Sequence, residues 1–556
     1  MNKVEIVIEN TGKRLKVAQG TSLAQLAEEH KDLCQNAILG ALVNNKVTAL
    51  NYHIYNPKCI RFFDITDSQG MRMYKYSLTF MLYKAVRDCY PQATLKMQHS
   101  LLSGYYCKVD LPEGNADDQL TIAQTVRERM IELQQANLPF ESENMLLSDA
   151  LEAIKDQNVP DTYRLIADLK QLYIIMQRLD GATHKISCTL VPSTGCLSCW
   201  DFRPFEEGFL LHCPDPNHPD KLSFFQETPK LFNVFQEHHH WAELLKVPTV
   251  PDLNAIIRNK GENHLIQVAE ALHEKKYAHI AECINERRGQ VKMVLLAGPS
   301  SSGKTTSCRR LGVQLSVLGF DVQQMSLDDY FVDRDRTPLQ PNGEYDFEAL
   351  EALDIEMLND HLLRLFKGER VEIPTYDFIK GTHTFSGKAL QLNPDSILIV
   401  EGIHALNPKL TAAIPEELKF KVYVSALTQI AIDNQNIIHS SDNRLIRRIV
   451  RDNNFRGYSA LNTLKRWGSV RAGEMKHIFP YQENADIMFN SALLYELALL
   501  RTYAEPLLKQ VPVSEPEYAE AQRLLSIIEL IEPIDPKFIP PTSIMREFLG
   551  GSSFEY

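Results

Sequence analysis

The chain has 556 residues, 44% of them hydrophobic and 23% charged, with a net charge of −12. That length exceeds a single hydrophobic core and implies several domains. The acidic balance argues against bulk nucleic-acid binding, no stretch approaches the roughly 18 apolar residues of a membrane span, and Met1–Ile6 lacks the apolar run of a secretory signal, so a cytoplasmic protein is expected.

From the N-terminus, alternation in Val4-Glu5-Ile6-Val7-Ile8 and in Arg14-Leu15-Lys16-Val17 predicts a hairpin turning at Gly12. Ser22 caps a helix from Leu23 to His30, and Asn44-Asn45 turns a second strand pair. Strand, strand, helix, strands over residues 1–66 is the order of a β-grasp. With Gly20-Thr21-Ser22 at the helix entry, the segment resembles the TGS module.

Residues 67–225 carry Tyr76-Ser77-Leu78, Cys89-Tyr90-Pro91, Ser103-Gly104-Tyr105-Tyr106-Cys107-Lys108-Val109-Asp110 and Val191-Pro192-Ser193-Thr194-Gly195. These runs resemble the second domain of threonyl-tRNA synthetases, an α+β module that removes mischarged serine. The resemblance allows RNA contact through residues 1–225. It places Tyr76 and Phe80 at the family's first histidine pair, and Ile186 and Leu190 near its later cysteine and histidine. Such side chains offer no general base, so a scaffold without the hydrolytic chemistry is expected. Cys196-x-x-Cys199, His212 and Cys213 have half the spacing of a zinc site, but the second half lacks its own two-residue gap.

Residues 226–290 read as a polar helical linker. Its His238-His239-His240 triplet cannot converge on one ion, because consecutive residues point apart.

The next run is the most informative. Val294-Leu295-Leu296-Ala297 predicts a buried strand, followed by Gly298-Pro299-Ser300-Ser301-Ser302-Gly303-Lys304-Thr305 and a helix from Thr306 to Leu318. Such a loop turns backbone N–H groups toward phosphates, and the helix start adds partial positive charge. Gly298, Ser300, Ser301, Ser302, Gly303, Lys304, Thr305 and Thr306 are therefore expected to bind the phosphates of a nucleoside triphosphate, though such a loop alone does not separate a kinase from a GTPase or an ATP-driven motor. Lys304 would reach the β- and γ-phosphates, and Thr305 would hold Mg²⁺.

A second strand from Asp321 should present Asp328 and Asp329 at its carboxyl end, where ligands of open α/β sheets gather. A carboxylate there can take the proton of an attacking hydroxyl, which makes Asp328 the candidate base. A third strand, Ser396–Val400, ends at Glu401, a second candidate Mg²⁺ ligand. Arg444, Arg447, Arg448 and Arg451 share one helical face and repel one another unless phosphates meet them. They predict an arginine lid, hinged at Asn453-Asn454-Phe455-Arg456-Gly457.

Together with Tyr345-Asp346-Phe347, Ile373-Pro374-Thr375-Tyr376-Asp377-Phe378 and Val400-Glu401-Gly402-Ile403, these segments resemble the uridine kinase and phosphoribulokinase branch of P-loop kinases. The resemblance implies an α/β domain with a parallel sheet over 291–500 and a nucleoside 5′-kinase activity using ATP and Mg²⁺. It makes Asp328, Lys304, Arg447 and Arg451 catalytic. Asp346, Tyr330, Tyr376, Phe378 and Arg448 become acceptor contacts, with Asp346 on the ribose hydroxyls. Uridine kinases read the pyrimidine with a histidine where Gly381 stands here, two residues before His383, so Gly381 is expected to leave that seat open.

Residues 501–556 read as a helical tail broken by Pro533, Pro536, Pro540 and Pro541, with Phe554 and Tyr556 placed to pack back on the body. The full arrangement resembles long bacterial uridine kinase-like nucleoside kinases, and a homo-oligomer is expected. Two rival functions are a kinase of another polyol or sugar phosphate, and an RNA- or ribosome-associated switch driven by ATP. The acidic charge and the acceptor-side motifs weigh against the second.

Overall fold

The computed structural model describes residues 2–101, 103–115, 117–340, 343, 345–377 and 380–555. At the N-terminus lie β1 (Lys3–Ile8), β2 (Lys13–Ala18), β3 (Thr21–Ser22), α1 (Leu23–Glu29), β4 (Gly40–Val43), β5 (Lys46–Thr48), β6 (His53–Ile54) and β7 (Lys58–Phe63). Five strands form a sheet in the order β2-β1-β7-β4-β5, with β1 parallel to β7. Val4, Ile6 and Ile8 point from alternate positions of β1 into one core with Leu23 and Leu26 of α1. Ser22 starts α1 as read, its Oγ accepting from Gln25 N at 3.2 Å while Gln25 Oε1 accepts from Ser22 N at 3.0 Å. Asn44 and Asn45 both have positive φ, 48° and 59°, as a two-residue hairpin turn of this hand requires.

The second region runs through α2 (Ser68–Cys89), β8 (Thr94–Leu101), β9 (Gly104–Asp110), α3 (Gln119–Ala136), β10 (Glu141–Leu146), α4 (Leu147–Ile154), α5 (Pro160–Ala167), β11 (Tyr173–Leu179), β12 (Ala182–His184), β13 (Asp201–Phe205) and β14 (Gly208–His212). A four-stranded sheet, β13-β14-β9-β8, and a three-stranded one, β10-β11-β12, share a core with α2 and α3. Phe80, Ile186 and Leu190 are buried in that core and Tyr76 packs at its edge.

Residues 226–290 are helical but not a solvated linker. They form α6 (Pro229–Leu244), α7 (Val250–Arg258) and α8 (Glu262–Glu286). Along α8 the residues Leu265, Ala269, His273, Tyr277, Ile280 and Ile284 recur every three or four positions and are buried. This stripe packs the helix onto the next domain, with Tyr277, Ile280 and Ile284 in one core with Val294 and Leu311. His238 is buried and its Nδ1 lies 2.8 Å from Gln429 Nε2, while His239 lies 3.3 Å from Glu243. Among the described residues, no group of three or more His, Cys, Asp or Glu is placed to hold a metal ion, including around Cys196, Cys199 and Cys213.

The third region contains β15 (Met293–Ala297), α9 (Lys304–Val317), β16 (Asp321–Ser326), α10 (Ile355–Phe366), β17 (Val371–Asp377), β18 (Thr382–Leu390), β19 (Ser396–Glu401), β20 (Lys419–Ser425), α11 (Ser440–Arg456), α12 (Ala460–His477) and β21 (Ile487–Asn490). Five of these strands make an all-parallel sheet in the order β16-β19-β15-β20-β21. Every residue of β15 is buried, as expected for a central parallel strand covered on both faces. β17 and β18 form a separate antiparallel hairpin.

The tail comprises α13 (Glu496–Lys509), α14 (Tyr518–Ile528) and α15 (Arg546–Leu549). A boundary at residue 500 is therefore misplaced, since Leu497–Leu500 already belong to the buried face of α13. The tail packs against α11 through Ile544, Met545 and Phe548, which are completely buried, rather than through Phe554; Tyr556 lies outside the described residues.

Two contacts weld these parts together. The loop from Gln429 to Ile438 enters the second region, where Asn434 N donates to Asp161 at 3.0 Å and Asp433 accepts from Thr162 Oγ1 at 2.9 Å. In addition, Arg523 of α14 makes two 2.7 Å bonds to Asp442 of α11 and also pairs with Glu520, which accepts from Arg72 of α2 at 2.9 Å. Burial alone would push the Asp442 and Glu520 carboxyls up, but Arg523 holds both below the ordinary carboxylate range.

Replacing Arg523 with Ala strands the buried Asp442 carboxylate and leaves Glu520 to Arg72 alone, a loss of about 3–5 kcal/mol by the usual cost of breaking a buried pair, read as a lower Tm in calorimetry. Both carboxyls titrate lower when folded than unfolded. Their contribution is therefore present above about pH 4 and is lost as pH falls further. Acid unfolding of the wild type should be steep below that value and visibly flatter in Arg523→Ala.

Candidate active site

The loop between β15 and α9 is shaped by two close approaches. A Cβ at Gly298 would run into the Val424 carbonyl of β20, and Gly303 has φ +81° with the Ile544 side chain against it. The carbonyls of the loop are drawn outward. Arg444 Nη1 donates to Ser300 O at 3.1 Å, Arg447 Nη1 to Ser301 O at 3.4 Å, and Ser491 Oγ to Ser302 O. Glu474 Oε1 accepts from Ser300 N at 3.2 Å. Lys304 Nζ donates to Pro299 O at 3.1 Å, and the buried Ser301 and Ser302 hydroxyls have no hydrogen-bond partner. A buried hydroxyl without a partner is costly, and two of them at the mouth of an anion cradle suit a ligand that supplies acceptors.

Around this cradle stand the acidic groups. Thr305 Oγ1 lies 3.5 Å from Glu401 Oε1, and Ser326 Oγ donates to the same oxygen at 3.2 Å. Burial, reinforced by Asp328, pushes the Glu401 carboxyl up to about 7. The pair Asp328-Asp329 is not on β16 itself but on the 3₁₀ turn that follows it. Its two members differ: Asp328 is exposed, whereas Asp329 accepts from Tyr376 N at 3.4 Å and is raised, chiefly by burial. Asp329 thus ties the turn to β17 and leaves Asp328 facing outward.

Asp346 is anchored by its own N–H to Pro338 O at 2.7 Å, and its Oδ1 accepts from Glu348 N at 3.2 Å. Tyr376 is buried, with its ring 5.5 Å from that of Phe331, and sits opposite His383 across the hairpin. Phe378 lies outside the described residues. Two expectations are corrected here. Tyr330 does not reach the cleft: it is completely buried and its hydroxyl lies 3.0 Å from His361 Nδ1, because the aromatic ring belongs to the core under the turn. Nor is there an opening at Gly381, since a Cβ there would stand 2.7 Å from Arg334 Nε. Arg334 N donates to Gly381 O at 2.8 Å, so the arginine lies along the glycine.

The arginine helix is also corrected. Arg444 and Arg447 are buried, not presented to solvent as a lid: Arg444 pairs with Glu474, Nη2 to Oε2 at 2.8 Å, and Arg447 pairs with Glu496. Their repulsion is cancelled by carboxylates supplied from α12 and α13, far along the chain, which no local spacing announces. Arg447, read as catalytic, instead holds Ser301 and Ser491 and packs on Phe548 at 5.0 Å. Arg448 and Arg451 remain at the edge of the site. Arg448 Nη1 donates to Ser300 Oγ at 2.7 Å, and Asp452 pairs with Arg451 at 2.8 Å and Arg448 at 3.3 Å. Asn453–Arg456 continue the helix, so the backbone break comes only at Gly457, φ +66°.

Glu348 was not singled out by any motif. It is packed against Gly473 of α12, where a Cβ could not fit, and its carboxyl is pushed up to about 7 by burial, with Arg448 opposing. Glu474 was missed for the same reason: its importance comes from contact with Ser300, Arg444 and Arg471 across the fold.

Residues 293–496 match the family described as Phosphoribulokinase / Uridine kinase. A uridine kinase of Staphylococcus haemolyticus is 30% identical over 194 residues, which cover 35% of this chain and 84% of the relative. The chain belongs to this family. A uridine kinase of Staphylococcus aureus strain JH9 shows the same identity and coverage. Among solved structures, one titled as a possible uridine kinase from Bacillus stearothermophilus aligns at 20% identity over 36% of this chain and 89% of its own, with a TM-score of 0.25. The protein is accordingly a phosphotransferase acting on an alcohol acceptor, with a parallel-sheet kinase domain in a multidomain chain. No helix among the described residues is long and apolar enough to cross a membrane.

The division within α11 of this kinase is testable. Arg447→Ala should unfold the loop region, lowering stability by about 3–5 kcal/mol because Glu496 is left buried without its counter-charge, with only Asn443 and Leu493 N–H to bond it. Arg448→Ala should keep the wild-type Tm and lose activity. A calorimetric scan and an ADP-release assay on both variants check the pair of outcomes.

Proposed function

We propose that the cleft at the carboxyl edge of the parallel sheet transfers the γ-phosphate of ATP to the 5′-hydroxyl of a ribonucleoside, with uridine and cytidine the leading acceptors. The observation that carries this reading is the placement of Asp328. It is exposed on the turn after β16, where its N–H donates to Ser326 Oγ at 3.3 Å, and Ser326 Oγ in turn donates to Glu401 at 3.2 Å, beside Thr305. In this reading that exposed carboxylate serves the space between the phosphate cradle and the acceptor wall.

In this mechanism Lys304 and the loop N–H groups hold the β- and γ-phosphates. Mg²⁺, where Thr305 and Glu401 would hold it, supplies charge neutralisation on those phosphates. Asp328 accepts the proton of the attacking hydroxyl as the new O–P bond forms and the bond to the β-phosphate oxygen breaks. Arg448 and Arg451 offset charge on the transferred group. Asp346 accepts hydrogen bonds from the vicinal ribose hydroxyls, and Tyr376 with His383 borders the base.

A second reading, a phosphorylated sugar as acceptor, is favoured by one feature. The place beside Gly381 holds Arg334, a cation suited to a phosphate, rather than an empty seat.

For the N-terminal half, the mixed sheet crossed by α1 supports a TGS-like β-grasp. Burial of Phe80, Ile186 and Leu190 supports a synthetase-like scaffold that has lost its hydrolytic groups. A cytoplasmic location fits both readings.

Asp328→Asn should retain nucleotide binding and lower kcat by about 10²-fold or more, the usual scale for loss of a general base. Asp346→Ala should remove most activity together with the preference for uridine over deoxyuridine. Measuring kcat/KM for uridine, cytidine, inosine, deoxyuridine and a pentose phosphate on one preparation decides between the readings. Activity confined to the sugar phosphate overturns the nucleoside assignment.

A further inference from the structure

The C-terminal segment lies across the phosphate cradle. Glu547 Oε2 accepts from Thr306 N at 3.0 Å and from Thr306 Oγ1 at 2.6 Å. Thr306 is in the first turn of α9, directly after Lys304 and Thr305. The segment is firmly seated. Ser543, Ile544, Met545 and Phe548 are completely buried, Ile544 stands against Gly303, and Asn454 Nδ2 donates to Phe548 O at 3.0 Å. Glu547 itself is half-buried, so its side chain can leave while its neighbours stay in the core.

A backbone N–H and a hydroxyl at the start of a helix, one residue past the lysine and threonine of a phosphate loop, form an anion seat. Here a carboxylate of the same chain sits in it. Two anions cannot share one N–H donor, and like charges brought together repel strongly when partly desolvated. We propose that Glu547 is a donor-binding determinant of this kinase: its carboxylate occupies the Thr306 seat, and a nucleotide binds by displacing it. This rests on the reading that Gly298–Thr306 holds ATP.

The seat has a position along the donor. Lys304 and Thr305 serve the β- and γ-phosphates, so Thr306 meets the phosphate nearest the nucleoside. Glu547 therefore opposes nucleotides that carry an α-phosphate more than a bare diphosphate placed at the Lys304 end. The apparent affinity for ATP is lowered by the fraction of molecules in which the seat is already filled.

The test is calorimetric titration of the full chain with ATP, ADP and inorganic pyrophosphate, on wild type, Glu547→Gln, Glu547→Ala and Lys304→Ala. Glu547→Ala should bind ATP and ADP about tenfold tighter, as expected if roughly nine in ten free molecules hold the seat closed; Glu547→Gln, which loses the charge but keeps an acceptor for Thr306, should gain less, and pyrophosphate should change by less than about twofold. Lys304→Ala should weaken all three ligands. If the Glu547 variants bind ATP no tighter than wild type while Lys304→Ala still weakens it, the proposal is overturned and the loop assignment stands. If Lys304→Ala has no effect, the assignment beneath it fails.

Discussion

The phosphate loop of this kinase is held by two buried ion pairs on one helix. Arg444 with Glu474 and Arg447 with Glu496 place guanidinium groups directly on the carbonyls of Ser300 and Ser301. Drawing those carbonyls away from the cradle fixes the loop before any ligand arrives, so little ordering is left to be done on binding. Ion pairs of this kind are poor sources of net stability, since desolvation consumes most of their attraction. Their value here is geometric. They satisfy backbone groups of a tight loop that no sheet or helix ladder can reach.

The same helix connects the catalytic half to the rest of the chain. Its N-terminal Asp442 is gripped by Arg523 of the tail, and the loop before it is wedged into the second region through Asp433 and Asn434. Its outer turn carries Arg448 and Arg451 at the site. A shift of this helix would therefore disturb the loop, the tail and the N-terminal half together.

Much of the catalytic half was legible from residue order. The phosphate loop needs a strand, glycines and a helix start in immediate succession, so Met293–Ala297, Gly298, Gly303 and α9 could be read from local pattern. The capped helix after Ser22 and the Asn44-Asn45 turn were legible for the same reason, as both depend on residues within four positions. The α8 stripe, too, was present as a helical period, but its partners lay in later segments and its polar remainder suggested solvent.

What the chain determined by itself is chemistry of short range: where phosphates can be cradled, where a carboxylate follows a strand, and where helices start and turn. The tertiary structure alone decided which charged groups reach the site. Four arginines on one helical face look alike in sequence, yet Glu474 and Glu496 arrive from other helices to bury two of them and leave the others at the site. Arg334 fills the place beside Gly381 and Glu547 reaches Thr306 across 241 residues, by the same rule. A buried charge must find its partner somewhere, and the nearest partner in space is set by packing rather than by position along the chain.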